Sequence, residues 1–105
     1  MFSGGDYGEV ERWLRNFVTS HAKREDPRLE AVIEADGERE GKSYGVRLRL
    51  GESLAPPAGA PPLELPFEEV ASRRGRMDWC HALAVRVREP GRGLVAAAAE
   101  RRRSA

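Results

Sequence analysis

The chain has 105 residues, of which 18 are Lys or Arg and 17 are Asp or Glu, so its formal net charge is +1. Hydrophobic residues make up 40% and charged residues 33%, a balance typical of a globular protein and not of a disordered tail. This length accommodates one compact domain with a modest core, so we expect residues 1–105 to form a single domain. The near-neutral charge differs from the strongly basic totals of dedicated nucleic-acid binders.

The cysteine and histidine content limits the chemistry available. Cys80 is the only cysteine, which excludes an internal disulfide, and the two histidines, His21 and His81, are widely separated in the sequence. We therefore expect no metal site and no cofactor. Residues 1–6 lack the pattern of a secretory signal, and no run approaches the ~20 apolar residues of a membrane helix. The expected location is the cytoplasm, without a membrane partner.

A helix is predicted over residues 7–23, because apolar residues recur there at offsets of three and four. Asp6 and Glu9 have the spacing of a capping box, in which the first carboxylate accepts an amide of the first turn. Pro27 restricts the residue before it to extended backbone and therefore ends the helix. The predicted buried stripe consists of Val10, Trp13, Leu14, Phe17 and Val18.

Two strands are predicted after this helix, over residues 28–36 and 43–50, where apolar and polar side chains alternate. The polar segment between them predicts a hairpin. Residues 51–62 contain four prolines and two glycines and are predicted to form a long surface loop. Loops of about this length are uncommon in compact domains unless they are mobile or functional.

The C-terminal part is predicted to contain a short helix over residues 66–74, a third strand over 77–88 and a last helix over 94–103. Residues 77–88 alternate between larger apolar side chains and small or charged ones, which favours a strand. A helix is the alternative, particularly for residues 77–84. Pro90 and Gly91 are predicted to end the strand, and the basic C-terminus is expected to fray.

These elements predict an α+β fold of two layers, in which a small, mostly antiparallel three-stranded sheet is covered by helices. No local pattern indicates catalysis. Cys80 and His81 are adjacent, but neighbours on a strand point to opposite faces and neighbours on a helix diverge by about 100°. His21 and His81 are expected to meet across the two layers as ordinary core or rim histidines, so we predict that the chain is not an enzyme.

The arginines are the remaining candidate site. Arg47 and Arg49 on the second strand, with Arg86 and Arg88 on the third, would form one basic face if those strands were neighbours, and such a face attracts polyanions. If the first strand lies between them instead, its acidic residues neutralise the arginines of both strands in cross-strand pairs. The second arrangement is electrostatically favoured. The acidic residues concerned are Glu30, Glu34 and Asp36.

The order of helix, strands and closing alanine-rich helix resembles the double-stranded-RNA-binding domain. In that family a glycine-rich turn precedes paired lysines on the last helix, and residues 91–93 are similar to this turn. Leu94, Val95 and Ala96 occupy the positions of the lysines, and residues 51–75 have no counterpart. We therefore assign no family from this resemblance.

Two functions remain open. We expect a non-catalytic module that binds another protein or a second copy of itself, through an edge strand, the proline-rich loop or exposed apolar surface. The alternative is nucleic-acid binding, with RNA as the target, through the arginine face.

Overall fold

The computed structural model describes residues 6–104. Residues 1–5, whose sequence lacks the pattern of a secretory signal, and Ala105 lie outside the described residues. The described chain contains a four-stranded antiparallel sheet with helices packed on one face, which confirms the predicted two-layer α+β class. No helix in this part of the chain has the length and apolarity that crossing a membrane requires.

The first helix, α1 (Tyr7–Glu25), begins and ends where the sequence indicates. The Oδ1 atom of Asp6 accepts the N–H of Glu9 at 2.7 Å, which satisfies one of the free amides of the first turn. Asp26 follows the helix in extended conformation, as expected before Pro27. Four residues at helical spacing form the buried stripe: Val10, Leu14, Val18 and Ala22.

The predicted hairpin is formed by β1 (Glu30–Glu34) and β2 (Ser43–Leu50), which are joined through a short 3-10 helix at Gly37–Arg39. Their register places Val32 opposite Arg47. Because side chains alternate along a strand, odd-numbered residues of β2 face away from the helices and even-numbered ones face the core. Tyr44, Val46, Leu48 and Leu50 are accordingly buried.

The proline-rich segment corrects one expectation, since it is not entirely loop. It contains β3 (Ser53–Ala55), and β4 (Leu63–Pro66) follows it. Both strands pair with the same edge of β2, with Ala55 opposite Leu48 and Leu63 opposite Val46. Residues 56–62 leave the sheet between them. The third strand position is therefore filled by two short strands separated by a proline-rich excursion.

The predicted helix over 66–74 is confirmed as α2 (Phe67–Arg73), but the predicted strand over 77–88 is wrong. Residues 77–88 and the predicted helix over 94–103 belong to one helix, α3 (Met77–Ser104), which also includes Pro90. Proline removes the hydrogen bond to the carbonyl four residues earlier, yet packing on both sides of it maintains the helix. The basic C-terminal residues, expected to fray, are helical to Ser104.

The reason for this difference lies in the apolar pattern of α3. Leu83, Val87 and Leu94 are buried, and their spacings of four and seven place them on one helical face. Leu83 and Val87 also fit the alternation of a strand over 77–88, so the pattern alone did not separate the two. Burial does separate them, because Met77 and Val85 would share one strand face with Leu83 and Val87 and are nevertheless exposed.

Gly91 allows α3 to approach the sheet closely. A Cβ atom at this position would lie 3.0 Å from Leu29 Cδ1 and 3.2 Å from Leu48 Cδ1, whereas Gly93, two residues later, has nothing within 4 Å. Gly91 is buried and Gly93 is exposed. The absence of a side chain at Gly91 therefore has a packing function, which Gly93 lacks.

We predict that Gly91→Leu destabilises the fold by about 1–3 kcal/mol, because it overpacks the contact between α3 and the sheet. Gly93→Leu makes the same change at an open helical position and should stabilise by up to about 1 kcal/mol, since leucine is the better helix former. Urea unfolding of both variants measures the difference. Equal effects at the two positions would contradict the close approach.

Candidate functional site

Arg47 lies on the outer face of β2, yet only 8% of its side chain is exposed. Its Nε donates to Glu34 Oε2 at 2.8 Å, and its Nη1 donates to the carbonyl oxygens of Pro56 at 3.0 Å and Pro57 at 2.7 Å. The guanidinium group therefore ties the proline-rich excursion to the outer face of the sheet. Its hydrogen-bonding capacity is largely used within the chain.

The rest of this outer face is also ion-paired. Arg49 Nη2 lies 2.8 Å from Glu30 Oε1, and Arg39 approaches Glu34 at 3.4 Å and Glu64 at 3.0 Å. Glu30 and Glu34 thus neutralise the arginines of β2 in the predicted cross-strand pairs, although no strand of residues 77–88 lies on the other side of β1. Asp36, the third predicted acidic partner, is exposed and has no ion pair in the described structure.

Arg86 and Arg88, the other two predicted site residues, lie on α3 and not on a strand. Arg88 Nε donates to Glu25 Oε2 at 2.7 Å across the α1–α3 contact. Arg86 borders a hollow of about 360 Å³ that is also lined by Arg47 and several prolines, but Arg47 is already bonded internally. The structure therefore does not bring the four arginines together on one face.

A second concave surface lies between α1 and α3, and we call it the α1–α3 groove. Its volume is about 310 Å³, and its lining contains no acidic residue. The charged rim is formed by Arg24 on α1 and Arg88 on α3. Eight residues line the groove: His21, Arg24, Met77, Cys80, His81, Ala84, Val85 and Arg88.

Exposed apolar side chains distinguish this groove from the arginine face. Met77 is 81% exposed and Val85 is 57% exposed, and they are the exposed large hydrophobic residues of the described chain. They are eight residues apart on α3, a rise of about 12 Å, and His81 lies midway between them at spacings of four. Apolar side chains thus remain in contact with water along two turns of one helix face.

Aromatic rings continue the apolar surface along α1. The ring centroids of Trp13 and Phe17 are 5.1 Å apart, and those of Phe17 and His21 are 4.4 Å apart. Trp79 on α3 lies 6.3 Å from Trp13. These rings are partly buried, so they brace the two helices against each other while keeping an edge in solvent.

His21 is a titratable residue of the groove lining. Its Nδ1 atom is buried without a protein hydrogen-bond partner. Burial lowers the pKa of His21, and the positive charges of Arg24 and Arg88, with His81, lower it further. The neutral imidazole is therefore the form that the folded state favours.

The adjacent Cys80 and His81 do not form a nucleophile and base pair. The thiol of Cys80 donates to the carbonyl oxygen of Arg74 at 3.3 Å, and burial raises its pKa, which disfavours the reactive thiolate. The predicted meeting of His21 and His81 does occur, although between two helices and not between a helix and a sheet. In residues 6–104, no group of three or more His, Cys, Asp or Glu side chains is arranged to hold a metal ion.

Comparison with protein families, with curated proteins and with solved structures finds no match to this chain. The structure also does not support the resemblance in element order to the double-stranded-RNA-binding domain. Gly91 and Gly93, which were compared with that family's glycine-rich turn, lie inside α3 and not before a helix.

Sequence reasoning missed the groove because it placed Met77 and Val85 on the core side of a strand. The helical alternative for residues 77–84 contained the necessary signal. On a helix, Met77, His81 and Val85 are four residues apart and share one face, while Leu83 and Val87 occupy another. Two separate apolar faces on one helix indicate a core side and an additional contact surface.

We predict that Arg47→Met destabilises the fold by about 1–3 kcal/mol, because it removes the donor of the Pro56 carbonyl and the charged partner of Glu34, while the Pro57 carbonyl keeps only the N–H of Ala60. Arg49→Met is the matched control on the same strand face. Arg49 and Glu30 are 48% and 55% exposed, so the loss of this pair should cost less than about 1 kcal/mol. Urea unfolding measures both, and equal losses would show that Arg47 does not anchor the excursion.

The low pKa of His21 predicts a pH-dependent stability. The unfolded chain binds the proton more readily than the folded one, so the free energy of unfolding should fall as the pH drops through the ordinary histidine value of ~6.5. Urea unfolding between about pH 7.5 and 5.5 measures this slope. The slope should be smaller in His21→Gln and nearly retained in His81→Gln, since His81 is the smallest contributor to the shift. An unchanged slope in His21→Gln would exclude His21 as its source.

Proposed function

We propose that the chain is a non-catalytic cytoplasmic module that binds another protein through the α1–α3 groove. The observation that carries this proposal is the exposure of Met77 and Val85 beside one groove, whereas the other large apolar side chains within residues 6–104 are buried or partly buried. Apolar side chains exposed around a concave surface are typical of an interaction site.

The proposed occupant is an amphipathic helix with acidic side chains on its flanks. Two helices with a groove between them offer a complementary seat for the apolar face of a third helix. Glu25 is shared between Arg88 at 2.7 Å and Arg92 at 3.0 Å, so two positive charges face one negative charge, and Arg24 adds a further positive charge. Carboxylates on the partner would complement this excess.

The same charges argue against a second copy of the chain at this groove. A symmetric pair would bring identical patches together, so Arg24 and Arg88 of one copy would face the same cations of the other. Like charges at an interface oppose association. A different protein therefore fits the groove better than a second copy does.

Nucleic-acid binding receives less support. Arg47, Arg49 and Arg88 are each paired with a glutamate, and a paired arginine contributes little to the attraction of phosphates. The internal use of Arg47 and the position of Arg86 and Arg88 on helix α3 argue against the basic strand face on which this alternative depended.

The proposal is tested with two synthetic amphipathic helical peptides that have leucine on one face and either glutamate or lysine on the other. We expect the glutamate peptide to shift the NMR amide signals of residues 17–24 and 77–88, and added salt should weaken its binding. Val85→Asp should reduce its affinity at least about tenfold, because it places a carboxylate on the apolar rim.

Ala82→Asp is the matched control, since it adds the same charge to an exposed position of α3 outside the groove lining. It should leave the affinity nearly unchanged. Equal binding of the lysine peptide, signal shifts confined to other surfaces, or no shift with either peptide would contradict the proposal. Steeply salt-dependent binding of an RNA oligonucleotide by the folded chain would favour the nucleic-acid alternative instead.

A further inference from the structure

The outer edge of β1 is an unpaired sheet edge. In the described structure β1 pairs only with β2, whereas β2 has partners on both sides. An edge strand presents backbone N–H and C=O groups in the spacing that another strand recognises. The opposite edge of the sheet is less suitable, because β3 and β4 have three and four residues and residues 56–62 protrude between them.

The hydrogen-bonding parity of the sheet identifies the residues with free backbone groups. Phe67 N donates to Lys42 O at 2.8 Å, which continues the β2–β4 register by one residue beyond Ser43 and Pro66. Because bonded pairs alternate along an antiparallel ladder, even-numbered residues of β2 bond toward β4, and odd-numbered ones bond toward β1.

The partners of those odd-numbered residues on β1 are Glu30, Val32 and Glu34. Their backbone groups are therefore turned inward to β2, and those of Ala31 and Ile33 are turned outward. No backbone hydrogen bond from outside the β1–β2 ladder is made to Ala31 or Ile33 within residues 6–104. Each of these two residues offers one donor and one acceptor at the edge.

Charged side chains often protect an edge strand, but those of β1 are drawn away from its edge. Glu30 is held by Arg49 at 2.8 Å, and Glu34 is held by Arg47 at 2.8 Å, both across the β1–β2 contact. Their carboxylates lean toward the centre of the sheet. The middle of the edge is therefore left with Ala31, Val32 and Ile33, which carry no charge.

We propose that β1 pairs with β1 of a second copy of this chain about a two-fold axis at Val32, forming one continuous antiparallel sheet across the dimer. In this register Ala31 bonds with Ile33 of the other copy, so all four outward donors and acceptors of each chain are used. The core-facing apolar residues Ala31 and Ile33 also meet on one face. A shift of the register by two residues would place Val32 opposite a glutamate.

The charges across this interface balance. Glu30 of one copy lies opposite Glu34 of the other, and each carboxylate keeps its arginine on β2. The row therefore reads Arg49, Glu30, Glu34 and Arg47, with two positive and two negative charges. Like charges directly opposite each other are unfavourable when unpaired, and here the flanking guanidinium groups compensate them.

The size of the contact predicts a weak dimer. Two strands of five residues bury less surface than the roughly 1,000 Å² that stable interfaces exceed. We expect monomers at low concentration and a growing dimer fraction as concentration rises. The partner is a second copy and the surface is β1, so this interface is separate from the α1–α3 groove and does not rest on it.

A disulfide trap tests the register directly. Val32 would face Val32 of the other copy as a non-hydrogen-bonded pair, whose Cα atoms lie about 4.5 Å apart, within the range that a disulfide spans. In a Cys80→Ala background, Val32→Cys should form a disulfide-linked dimer on mild oxidation. Ser72→Cys, exposed on α2 beyond the opposite edge of the sheet, should remain largely monomeric. Equal crosslinking of the two variants, or none in Val32→Cys, would overturn the proposal.

A backbone variant tests the edge hydrogen bonds without removing those of the hairpin. Ala31→Pro deletes one outward N–H, and proline is tolerated on the outer side of an edge strand. Sedimentation analysis over roughly a hundredfold range of concentration should show a rising mass for the parent chain and a monomer for Ala31→Pro, with circular dichroism confirming that the variant is folded. A strict monomer for the parent, or unchanged association in folded Ala31→Pro, would also overturn the proposal. Val85→Asp should not alter this association, which separates the edge from the groove.

Discussion

The arrangement of the sheet depends on one largely covered cation. The central strand β2 is buried along most of its length, and Arg47 occupies the middle of its outer face. A buried guanidinium group requires a counter-charge and acceptors for its donors. Glu34 on one neighbouring strand and the carbonyls of Pro56 and Pro57 on the other side supply them. This one side chain therefore connects β1 with the excursion that lies between β3 and β4.

This connection explains why a proline-rich segment can complete a sheet. Prolines lack the N–H that a continuous ladder needs, so the chain contributes β3, leaves the sheet over residues 56–62 and returns as β4. The carbonyls of that excursion remain available as acceptors, and Arg47 uses two of them. Pro62 closes the other end by packing over Gly45, where a Cβ atom would come within 2.8 Å of its ring. Gly45 is therefore required for this contact, just as Gly91 is required for the close contact between α3 and the sheet.

The local elements of the N-terminal half could be predicted from the sequence because their signals are local. The stripe of α1, the cap at Asp6, the stop at Pro27 and the alternation of β2 each reside within a few residues. Two features of the C-terminal half could not be predicted from the sequence. The strands β3 and β4 form because β2 offers a free edge, which is a tertiary condition, and their prolines argued against them. For residues 77–88, strand and helix patterns overlap, and only the folded structure shows that Met77 and Val85 are exposed while Leu83 and Val87 are buried, which fits a helix and not a strand.

Of the candidate surfaces, too, one could be predicted from the sequence and one could not. That Glu30 and Glu34 neutralise the arginines was foreseeable, since acidic and basic strands adjacent in a hairpin pair their charges. The α1–α3 groove could not be foreseen from the sequence, because it exists only if residues 77–88 are helical. The outer face of the sheet uses its charges internally, whereas in the groove Arg24, which forms no ion pair within residues 6–104, lies beside exposed Met77 and Val85.

The same internal pairing shapes the edge of β1. By drawing Glu30 and Glu34 toward the arginines of β2, it removes from the edge the charges that would otherwise repel another strand. A hairpin that neutralises its own face thereby leaves its outer backbone open, and the two binding surfaces that we propose, the groove and the edge, fit different partners. The groove selects by charge and apolar contact, so a foreign acidic helix suits it. The edge selects by backbone register, and an identical strand satisfies that register across its whole length.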